Sequence, residues 1–469
     1  MDEQQNNQQR PVNPRRKKRS QMQIIKEAYL PVIIAGVALL MILIFIIGSI
    51  SRGIQKNRYE KQESINASIA AEQEYNRLKQ EANNLLQQAA DAVLHFDYEG
   101  AVALLNSFSG SDLSQFPELA QRKAEYENTM SELVCWNNPS RVLNLSFQLL
   151  IADPSRAFTD AKYGTSYNRN FVTTEEFSRI LQELYENNYI LISMSDITDG
   201  ILTKDLYLPE GKKPFILTQT QVNYNTYMID SDGDKLPDKG GDGFASKLIL
   251  DANGNLSCEM VDSTGQTVTG NYDLVPILES FIQTHPDFSY KNARAILAVT
   301  GYDGLFGYRV NSAAKELFGE EAYEKEVEDA TAVITALRNA GYTIACYTYN
   351  NVPYGTYSAA QIQADLNNWN NEVYPILGIV DTLVFARNTD ILDQSTYYSG
   401  DKYETLRNFG FIHYLGFCTD GKPWVSSEND CIRQGRILVT GENMTLHADW
   451  FSSMFNTSSI LDPTRPKIS

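Results

Sequence analysis

The sequence predicts an α/β fold, a mostly parallel (β/α) barrel, preceded by a transmembrane helix and an α-helical stalk. Three observations predict it. Residues 31–50, PVIIAGVALLMILIFIIGSI, run for twenty positions without a charge. From about Arg52 to Val134 the chain is rich in Ala, Gln and Glu, with almost no β-branched runs. Beyond Cys135, short apolar runs alternate with amphipathic stretches about seven times. Continuously apolar strands are buried on both faces, which is the pattern of a parallel sheet covered by helices. About seven strand–helix units favour a closed barrel over an open sheet.

Taken in order, residues 1–30 are a polar, Gln/Asn-rich and basic tail, PRRKKRSQ included, with the composition of a disordered segment. Residues 31–50 then match the thickness of a hydrocarbon core at about 1.5 Å per residue. They are longer than the apolar region of a signal peptide and lack a small-residue cleavage site, so they read as a retained anchor. The twenty residues before the run hold six Lys/Arg (Arg15, Arg16, Lys17, Lys18, Arg19, Lys26), and the fifteen after it hold four (Arg52, Lys56, Arg58, Lys61), diluted by Glu60 and Glu63. That asymmetry predicts a single-pass cell-membrane protein with a cytoplasmic N-terminus and its C-terminal body outside.

Residues 51–134 form the stalk. Leu78, Ala82, Leu85, Ala89 and Ala92, then Ala101, Leu104 and Leu105, recur at helical spacing on either side of a break at Tyr98–Gly100, giving one tetratricopeptide-like hairpin. A further helix over about Phe116 to Leu133 packs beside it. One hairpin is too short for a repeat array and reads as a spacer or docking stalk.

Residues 135–469 form the barrel domain. RVLNLSFQLLIA, YILISMSDI, KPFILTQTQ, ARAILAVTGYDG, YTIACYTY, DTLVFAR and FIHYLGF are its strands, and TTEEFSRILQELYENN, YDLVPILESFIQ, ATAVITALRNAG, AAQIQADLNNWNNEVYPI and KYETLRNFG its helices. Thr173 with Glu176 three residues on is a capping-box start. In such barrels the C-terminal strand ends carry the chemistry. Here those ends read Asp196, the TQTQ run at Thr218–Gln221, Asp303 with Arg309, the YTYNN run, and Arg387 with Asp390. Tyr224, Arg309 and Arg387 are the candidate substrate contacts.

The net charge of −18 excludes a nucleic-acid binder, which needs clustered Lys and Arg to neutralise phosphates. Five cysteines are too few for a disulfide framework and show no CxxC spacing. Cys418 and Cys431 bracket a loop whose closure by a disulfide contributes roughly 3 kcal/mol, and two ordinary thiols are the equal alternative. The four histidines (His95, His285, His413, His447) form no HxxxH or HExxH pair, and no GxSxG elbow is present. One local metal motif stands out: DSDGDKLPDKGGDG places Asp230, Asp232, Asp234 and Asp238 at positions 1, 3, 5 and 9 of an oxygen-ligand loop suited to structural Ca²⁺. Lys235 and Gly241 depart from the EF-hand pattern, Asp242 is the substitute for the missing acidic residue, and a solvated acidic turn is the other reading.

The segments LIADPSRAF, EEFSRILQELYENNYILISMSDI, KPFILTQTQVNYNTYM, GDGFASKLILD, VPILESFIQTHPDFSYKNARAILAVTGYDGLFGYR and GENMTLHADWFSSMF, in that order, carry a resemblance. Over about 330 residues the chain resembles polysaccharide deacetylases of the NodB-like class, particularly a membrane-anchored Gram-positive branch with a helical stalk. The resemblance implies a distorted seven-stranded (β/α) barrel. It also implies an aspartate pair ending one strand, as general base and metal ligand, and two histidines ending a later one. The aspartate positions fall on Thr220 and Gln221, the histidine positions on Tyr347 and Asn351, and a Pro-x-Gly motif on Ala386 and Asn388. Metal-dependent amide hydrolysis needs a metal-generated hydroxide and a carboxylate base, and Thr, Gln, Tyr and Asn supply neither. The expectation is therefore a deacetylase-like protein without a catalytic metal, binding cell-wall glycan or serving as an envelope scaffold. An alternative keeps an enzyme, a metal-free carbohydrate hydrolase using two of Asp196, Asp303 and Asp390. A third has the stalk and acidic body docking an envelope protein.

Overall fold

The apolar run continues without a break into the stalk: α1 extends over Gln21–Leu94, 74 residues with Pro31 inside. This computed structural model describes residues 21–230, 241–428 and 430–468. Residues 1–20 of the basic tail, and Asp232, Asp234 and Asp238 of the acidic loop, lie outside the described residues. The chain divides after Glu81 into two units. In the first, α1 is long and apolar enough to cross a membrane. Its side chains from Val32 to Ile50 are largely exposed, Phe45 at 72%. Exposed apolar surface all round a helix suits lipid rather than water.

The second unit begins with the last turns of α1, followed by α2 (Tyr98–Asn106) and α3 (Pro117–Ser131). Ala82, Leu85, Ala89, Tyr98, Ala101, Leu105, Phe116 and Leu119 are the buried positions of this helical region, close to the spacing read from the sequence. Asp97 starts α2 by accepting from Gly100 N at 2.9 Å. A Cβ at Gly100 would stand 2.1 Å from Asp97 Oδ2, so glycine is what permits this cap. Lys291 N donates to His95 O at 2.8 Å, joining the helices to the barrel base.

Seven parallel strands close the barrel: β1 (Leu143–Phe147), β2 (Lys213–Thr220), β3 (Ile296–Val299), β4 (Thr343–Cys346), β5 (Thr382–Val384), β6 (His413–Phe417) and β7 (Cys431–Leu438). The ring runs in chain order, with β7 returning to β1 through Ile437↔Leu145 and Leu438↔Ser146. Pairing is thin in two places, a single residue pair joining β4 to β5, so the barrel is irregular. The strand Tyr189–Leu191 pairs only with the first half of β2. Helices α4 (Thr174–Glu186), α5 (Leu274–Thr284), α6 (Glu320–Ala340), α7 (Ala359–Glu372) and α8 (Asp401–Phe409) carry the covering apolar faces. The capping box of α4 is present in both directions: Glu176 N donates to Thr173 Oγ1 at 3.1 Å, and Thr173 N to Glu176 Oε2 at 2.7 Å.

Among the elements that went unread in the sequence, two shape the barrel. The closing strand β7, CIRQGRIL, contains two arginines and a glutamine yet is buried along almost its whole length. A three-stranded antiparallel sheet (Lys247–Leu250, Leu256–Val261, Thr267–Gly270) inserts between β2 and β3. The structure also decides between the disulfide and the two thiols at Cys418 and Cys431. His413 pairs with Ile432 and Phe417 with Arg436, so the two cysteines lie beyond opposite ends of the β6–β7 ladder. At about 3.3 Å per residue that separation is on the order of 20 Å, far beyond disulfide reach. Both are free and buried.

Candidate functional site

Strand alternation decides what enters the barrel. Leu145, Leu217, Leu297, Cys346, Leu383 and Tyr414 face the helices, while Ile216, Ala298, Ala345, Val384 and Leu415 pack inside. At the C-terminal ends the inward positions turn polar: Ser146, Thr218, Thr220, Thr300, Tyr347 and Arg436. The TQTQ run splits accordingly. Thr218 Oγ1 donates to Asn144 Oδ1 at 2.8 Å inside the barrel, and Thr220 Oγ1 to Phe147 O at 3.2 Å. Gln219 points outward, its Nε2 donating to Asp273 at 2.8 Å. Gln221 ends the strand with φ +56°.

The four motif positions assemble at one end. Asn351 Nδ2 donates to Gln221 Oε1 at 3.3 Å across the ends of β2 and β4. Tyr347 is 5% exposed and packs in the barrel interior. Arg387, exposed, donates through Nε to Asn351 O at 2.8 Å. Gln221, Thr348, Asn351, Arg387 and Asn388 all have φ between +50° and +63°. Left-handed backbone costs a non-glycine residue about 1–3 kcal/mol and persists only where its surroundings fix it. The fixing is visible around β4. Asp365 of α7 accepts from Tyr349 N at 2.7 Å, Asn350 N at 3.0 Å and Tyr354 OH at 2.8 Å, and Thr348 Oγ1 accepts from Val352 N at 2.9 Å. Two atoms at this mouth, Thr300 Oγ1 and Asn351 Oδ1, are buried with no hydrogen-bond partner.

Several candidates from the sequence sit elsewhere. Tyr224 is 1% exposed, with its hydroxyl on Asp273 Oδ2 at 2.8 Å, so it is a core residue and not a surface contact. Arg309 is 9% exposed and spends its guanidinium on Asp303 O and Tyr224 O, bracing a loop. Asp196 is at the wrong end of the barrel. It caps a short helix through Ser193 N at 2.8 Å and lines a 430 Å³ cavity with Tyr98, Tyr290 and Lys291, on the side where β3 begins. Asp303 accepts from Thr226 N at 2.7 Å and Thr226 Oγ1 at 2.6 Å. Asp390 faces Arg433 at 3.2 Å, and burial raises its carboxyl above the ordinary range. With Asn388, Gln394, Phe417 and Trp424 it lines an open 830 Å³ cleft over the ends of β5 and β6. A cavity of 1010 Å³ among His95, Asp251, Glu279 and Arg294 is on the base side and away from these strand ends.

Asp230 follows a short helix, Thr226–Ile229. Asp242, the proposed substitute ligand, accepts from Tyr167 OH, and burial pushes its carboxyl up to about 6. Among the described residues no three His, Cys, Asp or Glu side chains group as metal ligands. Thr300, Asp273, Asp365 and Arg436 were missed in the sequence. For Thr300 and Arg436 the usable signal was the period-2 alternation that turns them inward; for Asp273 and Asp365 there was none.

No protein-family model matches this chain, and neither does any curated protein sequence. Among solved structures it is similar to the Streptococcus pyogenes deacetylase PplD in complex with acetate, with a TM-score of 0.36 and 12% identity over 69% of this chain and 100% of that one. The barrel assignment rests on the strand pairing described above.

Proposed function

We propose that this is a membrane-anchored, deacetylase-like protein whose barrel binds cell-envelope glycan without metal-dependent hydrolysis. The observation that supports it most directly is the Gln221–Asn351 hydrogen bond at the barrel mouth. Two carboxamides engage each other where the resemblance expects a carboxylate and a histidine. Neither is a base at neutral pH, and an amide oxygen is a weak ligand for a divalent metal. Hydroxyl and amide groups are instead what a neutral sugar recognises. The exposed rings of Tyr227 and Tyr302 stand close by, with Tyr302 OH on Asn225 Oδ1 at 3.1 Å, and offer stacking surface. The N-terminal helix supplies the anchor, with the barrel on the outer side.

The test uses the full chain in detergent micelles with N-acetylglucosamine oligomers. Binding without acetate release is expected, whether or not Zn²⁺ or Co²⁺ is added. Acetate release that depends on either metal would overturn the proposal. The metal-free glycosidase reading loses Asp196, which lies at the opposite end of the barrel, and is reduced to the pair Asp303 and Asp390.

A further inference from the structure

Four arginines are buried among the described residues: Arg294, Arg309, Arg433 and Arg436. Three of them face a carboxylate. Arg294 lies 2.6 Å from Glu279, Arg433 lies 2.9 Å from Glu428 and 3.2 Å from Asp390, and Arg309 lies 3.7 Å from Asp303. Arg436, 1% exposed, has no such partner among the described residues. Its hydrogen bonds all end on neutral oxygens: Nε on Gly416 O at 2.9 Å, Nη1 on Ser146 Oγ at 2.9 Å, Nη2 on Phe385 O at 3.2 Å. The ionisable neighbours that act on it are a phenol and a thiol, those of Tyr347 and Cys418. A guanidinium carries five N–H donors, so two remain uncommitted. An isolated buried cation is costly, and natural proteins pair it or give it a ligand.

Its position makes a ligand the better account. Arg436 points into the barrel from β7, and its three acceptors lie on or just beyond the ends of β1, β5 and β6. The inward wall above it, made of Thr220, Thr300 and Tyr347, carries no carboxylate to compensate the charge or to repel an arriving anion. We propose that the Arg436 guanidinium is a carboxylate subsite at the floor of the barrel mouth. It takes either a small monocarboxylate or a carboxylate carried on a saccharide; only the second source rests on the glycan-binding reading. The planar fork matches a carboxylate in bidentate geometry, with the two free N–H groups as donors. Entry lies past half-exposed Gln221 and Asn351 and requires the Tyr347 side chain to swing aside. The chain's net charge of −18 disfavours anions at large, so recognition depends on this one buried cation.

The test follows thermal unfolding of the full chain in detergent micelles with acetate, glucuronate, glucose or chloride at matched ionic strength. A ligand that binds only the native state raises the midpoint saturably, by a few degrees once it is well above its dissociation constant. Acetate is expected to do so, and glucose and chloride are not. A matching response to glucuronate supports a saccharide source, and a response to acetate alone supports a free monocarboxylate. Arg436→Gln should abolish the response. Should that variant fail to fold, hydrogen exchange of the natural chain gives the same answer, with acetate slowing exchange at residues 385–388 and 416–418. Equal midpoints in acetate and chloride, an undiminished response in Arg436→Gln, or protection confined to other segments would each sink the proposal. Failure of N-acetylglucosamine oligomers to bind, with the acetate response intact, overturns the glycan reading and leaves this one standing.

Discussion

On the β2–β4 side of the barrel, the buried carboxylates Asp273 and Asp365 lie behind the strands and accept from N–H and O–H groups alone, whereas on the β5–β7 side Asp390 and Glu428 flank the guanidinium of Arg433. The first arrangement leaves the mouth itself neutral and uses the charge as a brace for loops with left-handed backbone. In the second the charges compensate one another beneath a cleft, with Arg433 3.8 Å above the Tyr398 ring. Burial with no counter-charge beside it raises the Asp273 carboxyl to about 6, against the pull of its hydrogen bonds. A carboxylate held by a guanidinium fails mainly when its partner is removed. The two sides should therefore respond to different insults.

The largest effect is expected from Arg433→Ala, which leaves Asp390 and Glu428 buried and unpaired. Removing one partner of a buried pair costs about 3–5 kcal/mol. Urea unfolding of the full chain measures it, and a loss under 1 kcal/mol would mean that the charges on the β5–β7 side do not depend on one another.

The β2–β4 side should show itself through pH. Burial pushes Asp273 up to about 6, against backbone and side-chain donors that pull it down. A carboxyl whose native value lies above its unfolded value of about 3.9 binds its proton earlier in the native state. Its contribution to stability therefore rises as pH falls through 6 and levels off near 4. The expected gain is about 3 kcal/mol, from two pK steps at 1.36 kcal/mol each. Asp242, also near 6, acts in the same direction, while Asp381, lowered by the neighbouring His413 at 3.9 Å, opposes it. The quantity to measure is thus the difference between the natural chain and Asp273→Asn across pH 4–7.5. If that difference does not change with pH, Asp273 is not the braced carboxylate described here.

A smaller loss, about 2 kcal/mol, is expected for Asp365→Asn, which turns one acceptor oxygen into a donor facing donors. The damage should be local. Hydrogen exchange should quicken across Thr348–Tyr354 and stay unchanged near Arg433; faster exchange on both sides would erase the distinction between them.

The same contrast explains how much of the molecule was legible in its sequence. β1 to β6 were visible because their apolar runs are bounded by turns and followed by periodic helices. β7 was not, because Arg433 and Gln434 are matched by Glu428 and Asn144, and Arg436 reaches Ser146, contacts remote in the chain or set by a fold not yet known. For the site, the positions of Gln221 and Asn351 followed from the resemblance, and they do meet. The inward turn of Thr300 follows from alternation once β3 is placed. Tyr224 was misjudged because a tyrosine at a strand end looks like a surface contact until its partner, Asp273, is found 49 residues away. Asp196 was misjudged because Tyr189–Leu191 pairs with only the lower half of β2, so its end does not reach the mouth.

The smallest expected effect concerns the pair at the centre of the mouth. Gln221 and Asn351 make one neutral hydrogen bond at 3.3 Å, partly open to solvent, and water replaces such a bond at little cost. A double-mutant cycle with Gln221→Ala and Asn351→Ala should give a coupling of about 0.5 kcal/mol or less in stability. Glycan binding should respond differently, since each carboxamide presents groups that a sugar hydroxyl can use, and either substitution should weaken oligomer binding several-fold. A coupling above about 1.5 kcal/mol with unchanged binding would make the pair a structural clasp, and the mouth would then be braced on both sides and built for neither metal nor sugar.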